Sequence, residues 1–148
     1  MLVWASMCGI AQSQKIATNA LHFDGKDDYV DLPDFSDSFD FSKGFSFTAW
    51  VKWDALSGNA RLFELTNGYG YLLNSIIFRI NDSGVLVLQC SKGADNSEII
   101  TDAAVVATGK WYHVAATISS QGEANIYIDG KSVKSGGVYI PVNDYRKN

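Results

Sequence analysis

A chain of 148 residues and 16.2 kDa suits one domain with a sizeable core and is too short for several. Hydrophobic content of 47% against 19% charged residues argues against disorder driven by self-repulsion. A net charge of −4 with no run of Lys or Arg excludes the electrostatic footprint of a nucleic-acid binder and disfavours an anionic membrane surface.

In chain order, the first segment is Met1-Leu-Val-Trp-Ala-Ser-Met-Cys-Gly-Ile-Ala11, an apolar run too short to span a bilayer. It fits the apolar core and small-residue cleavage end of a secretory signal, with cleavage after Ala11, although no Lys or Arg precedes it. Residues 1–18 are therefore expected to be a signal segment or a disordered N-terminus, and the mature protein secreted or held at the cell surface. With the leader gone, Cys90 is the one remaining cysteine and reads as a small buried hydrophobe. A disulfide framework or a zinc site would need more ligands.

Beyond the leader no stretch has useful helical periodicity. Strand-like runs recur at Ala20 to Phe23, Tyr29 to Leu32, Phe45 to Trp53, Arg61 to Thr66, Tyr71 to Ile80, Val85 to Cys90 and Glu98 to Thr101. Trp111 to Ser119, Ala124 to Asp129 and Val138 to Ile140 complete the series. Turn clusters such as Ser57-Gly-Asn59 and Asn81-Asp-Ser-Gly84 separate them, the spacing of an all-β sandwich or barrel. In Phe45 to Trp53 the odd positions form one apolar face, and Trp50 lies on the other among Ser46, Thr48 and Lys52. Asp129-Gly130, between apolar alternations, is a hairpin signal because a type I′ turn needs positive φ at both positions.

Four segments carry a family resemblance. Ala20-Leu-His-Phe-Asp-Gly-Lys-Asp-Asp-Tyr-Val-Asp-Leu-Pro33 resembles the opening of the laminin-G-like jelly rolls of the concanavalin A-like lectin/glucanase superfamily. Phe45-Ser-Phe-Thr-Ala-Trp-Val-Lys-Trp53 is similar to their next strand. Gly109-Lys-Trp-Tyr-His-Val-Ala-Ala-Thr117 and Asn125-Ile-Tyr-Ile-Asp-Gly-Lys131 resemble their late hairpin. The resemblance covers roughly residues 20 to 140 and implies an all-β, two-sheet antiparallel jelly-roll sandwich over residues 19–148. Family members continue with a further closing strand, whereas this sequence ends at Asn148. The expectation is a domain lacking that strand, with sheet edges prone to association and a place in a longer chain or assembly.

The superfamily includes glycoside hydrolases, whose chemistry needs two carboxylates at close range. This chain has three Glu, at 64, 98 and 123, each isolated, and Glu98 with Asp102 shares parity without a third partner. The expected protein is not an enzyme. A hard cation such as calcium takes oxygen ligands, and Asp24, Asp27 and Asp28 offer carboxylates on one tight turn where related jelly rolls hold a structural Ca2+. For sugars, rings stack on the apolar C–H faces while amides and carboxylates bond the hydroxyls. The candidates are Tyr69 and Tyr71 beside Asn67, with Trp53 next to Asp54, while for each of Trp50, Trp53 and Trp111 core packing is the favoured reading. His22 and His113 read as separate structural histidines, and Asn81-Asp82-Ser83 as a polar hairpin turn as well as a glycosylation pattern. The expected function is a non-catalytic extracellular binding module for a glycan or an extracellular protein, without nucleic acid and without membrane insertion. A structural protein–protein interaction domain is the alternative, and a degenerate glycoside hydrolase a further one.

Overall fold

Strict alternation in Phe45 to Lys52 and Tyr112 to Ile118 builds the centre of the molecule, because successive strand side chains point to opposite faces. The computed structural model describes residues 2–5, 19–32, 40–66 and 74–140. Ten strands run through them: β1 (Leu2–Ala5), β2 (Leu21–His22), β3 (Gly44–Lys52), β4 (Ala60–Leu65), β5 (Ile76–Ile80), β6 (Leu86–Lys92), β7 (Asp95–Ile100), β8 (Trp111–Ser119), β9 (Glu123–Ile128) and β10 (Lys131–Gly137). A single 3-10 turn at Phe41–Lys43 leads into β3, capped where the Asp40 carboxylate accepts the Ser42 N–H.

The strands form two antiparallel sheets, one ordered β10-β9-β8-β3-β1-β2 and the other β4-β5-β6-β7. β3 and β8 pair over their whole length, from Gly44 opposite Ser119 to Lys52 opposite Trp111. Inward residues of this pair, Ala49, Val51, Val114 and Ala116, pack against Ile76, Phe78, Ile80, Leu86 and Leu88 of the facing sheet. Burying each such large aliphatic or aromatic side chain contributes about 1.5–3 kcal/mol. At one end Phe41, Phe45, Phe63, Phe47 and Phe78 form a chain of ring contacts with centroids 5.1–6.0 Å apart. This is the expected two-sheet jelly-roll sandwich.

Local chemistry sets the connections. Asp129 (φ 50°) and Gly130 (φ 78°) make the expected hairpin turn, and the Asp129 carboxylate accepts the His113 N–H at 3.0 Å. At the β8–β9 turn Gly122 has φ 82°, and an added Cβ would lie 2.4 Å from the Val138 carbonyl oxygen, so only glycine fits. β10 and β7 close one side of the sandwich: Lys134 pairs with Asp102, and the Tyr139 N–H donates to Ser97 Oγ at 2.6 Å.

Three elements differ from the sequence expectation. Tyr29–Leu32 forms no strand, because the chain leaves β2 in a turn that Asp24 and Asp28 hold through bonds to the backbone. The last strand is Lys131–Gly137, directly after the Asp-Gly turn, and Val138–Ile140 lies outside it. Leu2–Ala5, within the expected leader, pairs with both β3 and β2, with Val3 opposite Val51 and Leu21.

Candidate functional site

The acidic turn follows β2 at the edge of the larger sheet. Gly25 (φ 79°) reverses the chain, the Lys26 N–H donates to Asp24 Oδ1 at 2.8 Å, and the Asp24 N–H donates to Asp28 Oδ2 at 2.8 Å. These bonds draw the expected trio together: one carboxylate oxygen from each of Asp24, Asp27 and Asp28 lies within 4.8 Å of the others, and all three residues are exposed. It is the one such metal-competent group among the described residues. An all-oxygen, anionic donor set suits a hard divalent cation, and a carboxylate oxygen that accepts one N–H keeps a further lone pair for a metal.

Of the expected sugar contacts, Tyr69, Tyr71 and Asn67 lie outside the described residues. Trp53 is corrected as a sugar contact and packs in the core, the reading its sequence favours. Its side chain is 1% exposed, its ring packs 6.2 Å from that of Tyr112, and its indole N–H has no protein acceptor. A ring sealed between the sheets offers no face to a ligand. The cause is parity: Trp53 continues the odd, inward series of β3.

Trp50 and Trp111 are corrected in the opposite sense. Trp50 is 45% exposed and Trp111 38% exposed, both on the outer face of the larger sheet. Trp50 stands opposite His113 in register, with ring centroids 5.4 Å apart at 60°. His113 Nε2 and Thr48 Oγ1 form a hydrogen bond of 2.9 Å. Lys52, opposite Trp111, lies 3.8 Å from Asp54, which also contacts His22 Nε2 at 3.6 Å. The two histidines thus serve separate contacts and do not converge on a shared ligand. The signal for Trp50 was present in its even parity; whether a further layer covered that face was not.

The outer face of the smaller sheet carries a row from Glu64 through Ile77 and Gln89 to Glu98, each opposite the next across neighbouring strands. Three strand spacings put the two Glu about 14 Å apart, well beyond the roughly 5–9.5 Å of glycosidase pairs. Each is also paired with its own arginine, Glu64 with Arg61 at 2.8 Å and Glu98 with Arg79 at 3.4 Å, while Asp102 is held by Lys134. Beside this row Ser75, Gln89, Ser91 and Asn96 form a largely buried network centred on the Ser91 hydroxyl. Asn81 acts as a turn former, its Oδ1 accepting the N–H groups of Ser83 and Val85.

Two antiparallel sheets packed face to face in this strand order are the architecture of a jelly-roll sandwich. The chain belongs to the Laminin_G_3 family of the concanavalin A-like lectin/glucanases superfamily, whose family model matches residues 24–148. No curated protein matches it. Among solved structures, domains LG4-5 of the mouse laminin alpha1 chain are similar, with 16% identity and a TM-score of 0.55 over 75% of this chain and 27% of that one. A structure of botulinum neurotoxin type C is also similar, with 20% identity and a TM-score of 0.51 over 73% of this chain and 26% of the toxin chain. The chain thus spans about a quarter of each, and both likenesses speak to fold. No helix among the described residues is long and apolar enough to cross a membrane.

Proposed function

We propose that this binding module of laminin G type works outside the cell as a non-catalytic receptor for carbohydrate. The observation that carries the non-catalytic reading is the separation of Glu64 from Glu98, each committed to a different arginine. Supporting a glycan ligand are the exposed rings on the outer sheet face and the similarity to a toxin whose cell entry depends on interaction with two ganglioside molecules. Tyr69, Tyr71 and Asn67 are the proposed contacts to the sugar. Asp24, Asp27 and Asp28 would hold a structural calcium beside β2, their carboxylates supplying oxygen ligands and the cation neutralising the acidic turn.

A second reading, a protein–protein interaction domain, is favoured by one observation. Tyr29, Val30 and Leu32 lie outside any strand with their side chains exposed, an apolar run that a neighbouring domain could cover.

The deciding experiment is a glycan-array screen of the purified chain in calcium and in chelator. The expected outcome is binding to a defined glycan set, with a melting temperature that rises in millimolar calcium and falls back in Asp24→Asn. Array silence in both conditions rejects the carbohydrate reading. A melting temperature indifferent to chelation rejects the structural ion, because a ligand bound to the native state alone must stabilise it.

A further inference from the structure

We propose that the outer face of the six-stranded sheet holds a second saccharide site, centred on Trp50 and distinct from the Tyr69 and Tyr71 contacts, that takes a neutral oligosaccharide of at least two rings. The proposal rests on the carbohydrate reading and adds to it a location and a ligand class.

The platform is Trp50, whose indole is 45% exposed at the middle of β3. Sugars present flat C–H faces, and an exposed indole offers the large apolar area that such faces cover. Rigidity is built in: His113 leans on the indole at 5.4 Å, and its own ring is tied through Nε2 to Thr48 Oγ1 at 2.9 Å. That bond uses one ring nitrogen and leaves the other able to exchange a hydrogen bond with a ligand hydroxyl. A group already fixed by the fold loses little freedom when a ligand docks, which favours binding.

The number of rings follows from register. Trp111 is the diagonal neighbour of Trp50, one step along β8 from His113, and is 38% exposed. Diagonal positions on a sheet face lie about 7–8 Å apart, within reach of long side chains, so two platforms address two linked sugar rings. On the other side of Trp50 the floor drops: Thr48 faces Ala115, whose side chain is a single methyl. The ligand class follows from charge. The cation of the patch, Lys52, is paired with Asp54 at 3.8 Å, and Asp54 also contacts His22. Among the described residues in register around Trp50, no unpaired cation is left to select sialic acid, sulfate or uronate groups.

The test uses the full chain. Wild type is screened on an array of neutral and acidic glycans, and each bound glycan is titrated by calorimetry against Trp50→Ala, Trp50→Phe, Trp111→Ala and the Tyr69→Ala/Tyr71→Ala double variant. The expected result is a neutral oligosaccharide whose affinity falls about tenfold or more in Trp50→Ala and less in Trp50→Phe and Trp111→Ala. The double tyrosine variant should retain it. Binding unchanged in Trp50→Ala and Trp111→Ala but lost in the double tyrosine variant overturns this site while the lectin reading stands. Binding to acidic glycans alone overturns the ligand class. Array silence rejects the lectin reading, and this site falls with it. A readout independent of the variants' folding is the indole N–H resonance of Trp50 in wild type, which must shift on saturation with the bound oligosaccharide; an unmoved resonance overturns the proposal.

Discussion

Trp50 and Trp53 lie three positions apart, one on β3 and one just past its end, and meet opposite environments because three is odd. Trp50 presents its ring to solvent, whereas Trp53 is sealed between the sheets against Tyr112. The buried indole makes no hydrogen bond to the protein, so its contribution is volume rather than polarity. Trp53→Phe, which removes the N–H and some volume, should cost roughly 1–2 kcal/mol. Trp53→Ala, which empties the site, should cost about 3–5 kcal/mol. Urea denaturation of the two variants checks this, and equal losses would mean that the N–H carries stability the packing account lacks. Glycan affinity should be the same in Trp53→Phe as in wild type, since the ring touches no surface. The parity that separates these two tryptophans was readable in Phe45 to Trp53. Their exposure was not, because it depends on whether anything covers the outer face, and no residue within the strand encodes that.

The elements divide by how local their determinants are. The Asp129-Gly130 turn was legible since its two backbone conformations are requirements of the residues themselves. Tyr29–Leu32 misled for the complementary reason: its alternation suits a strand, but the carboxylates of Asp24 and Asp28 bond backbone N–H groups upstream and turn the chain away. The candidate metal cluster was legible because its three carboxylates share one turn; the Trp50 patch was not, because it joins residues from β3 and β8 that are more than sixty positions apart. Non-local polar networks are similarly silent in sequence. Ser75 just before β5, Gln89 and Ser91 on β6 and Asn96 on β7 meet at the Ser91 hydroxyl, which accepts from Ser75 at 3.1 Å and donates to Asn96 at 2.6 Å. Ser91→Ala strands the buried Ser75 hydroxyl and should cost about 1–3 kcal/mol, with Ser75→Ala costing less because Ser91 keeps Asn96. The double variant should fall short of the sum of the singles by roughly 0.5 kcal/mol or more, since it removes both partners together. Additive losses in a double-mutant cycle would dissolve the network into independent contacts.

At the scale of the whole molecule the sandwich depends on what lies beside β3. On one flank β3 is fully paired with β8; on the other it meets, among the described residues, the four residues of β1, and β2 joins the sheet through β1. Leu2–Ala5 therefore shields the edge of the strand that carries Trp50, while the same residues read in sequence as part of a removable leader. The two roles have opposite consequences for assembly. A chain beginning at Asn19 would expose the N–H and C=O groups of β3 from Ala49 to Lys52, and an uncovered edge pairs readily with another strand. That shortened chain should sediment as a larger, concentration-dependent species under conditions where the full chain does not. It should also show faster amide exchange along residues 49–52, since protection there reflects pairing on that flank. Identical sedimentation, exchange and melting for the two chains would show that β1 contributes nothing to the sheet and that the β3 edge is stable without it.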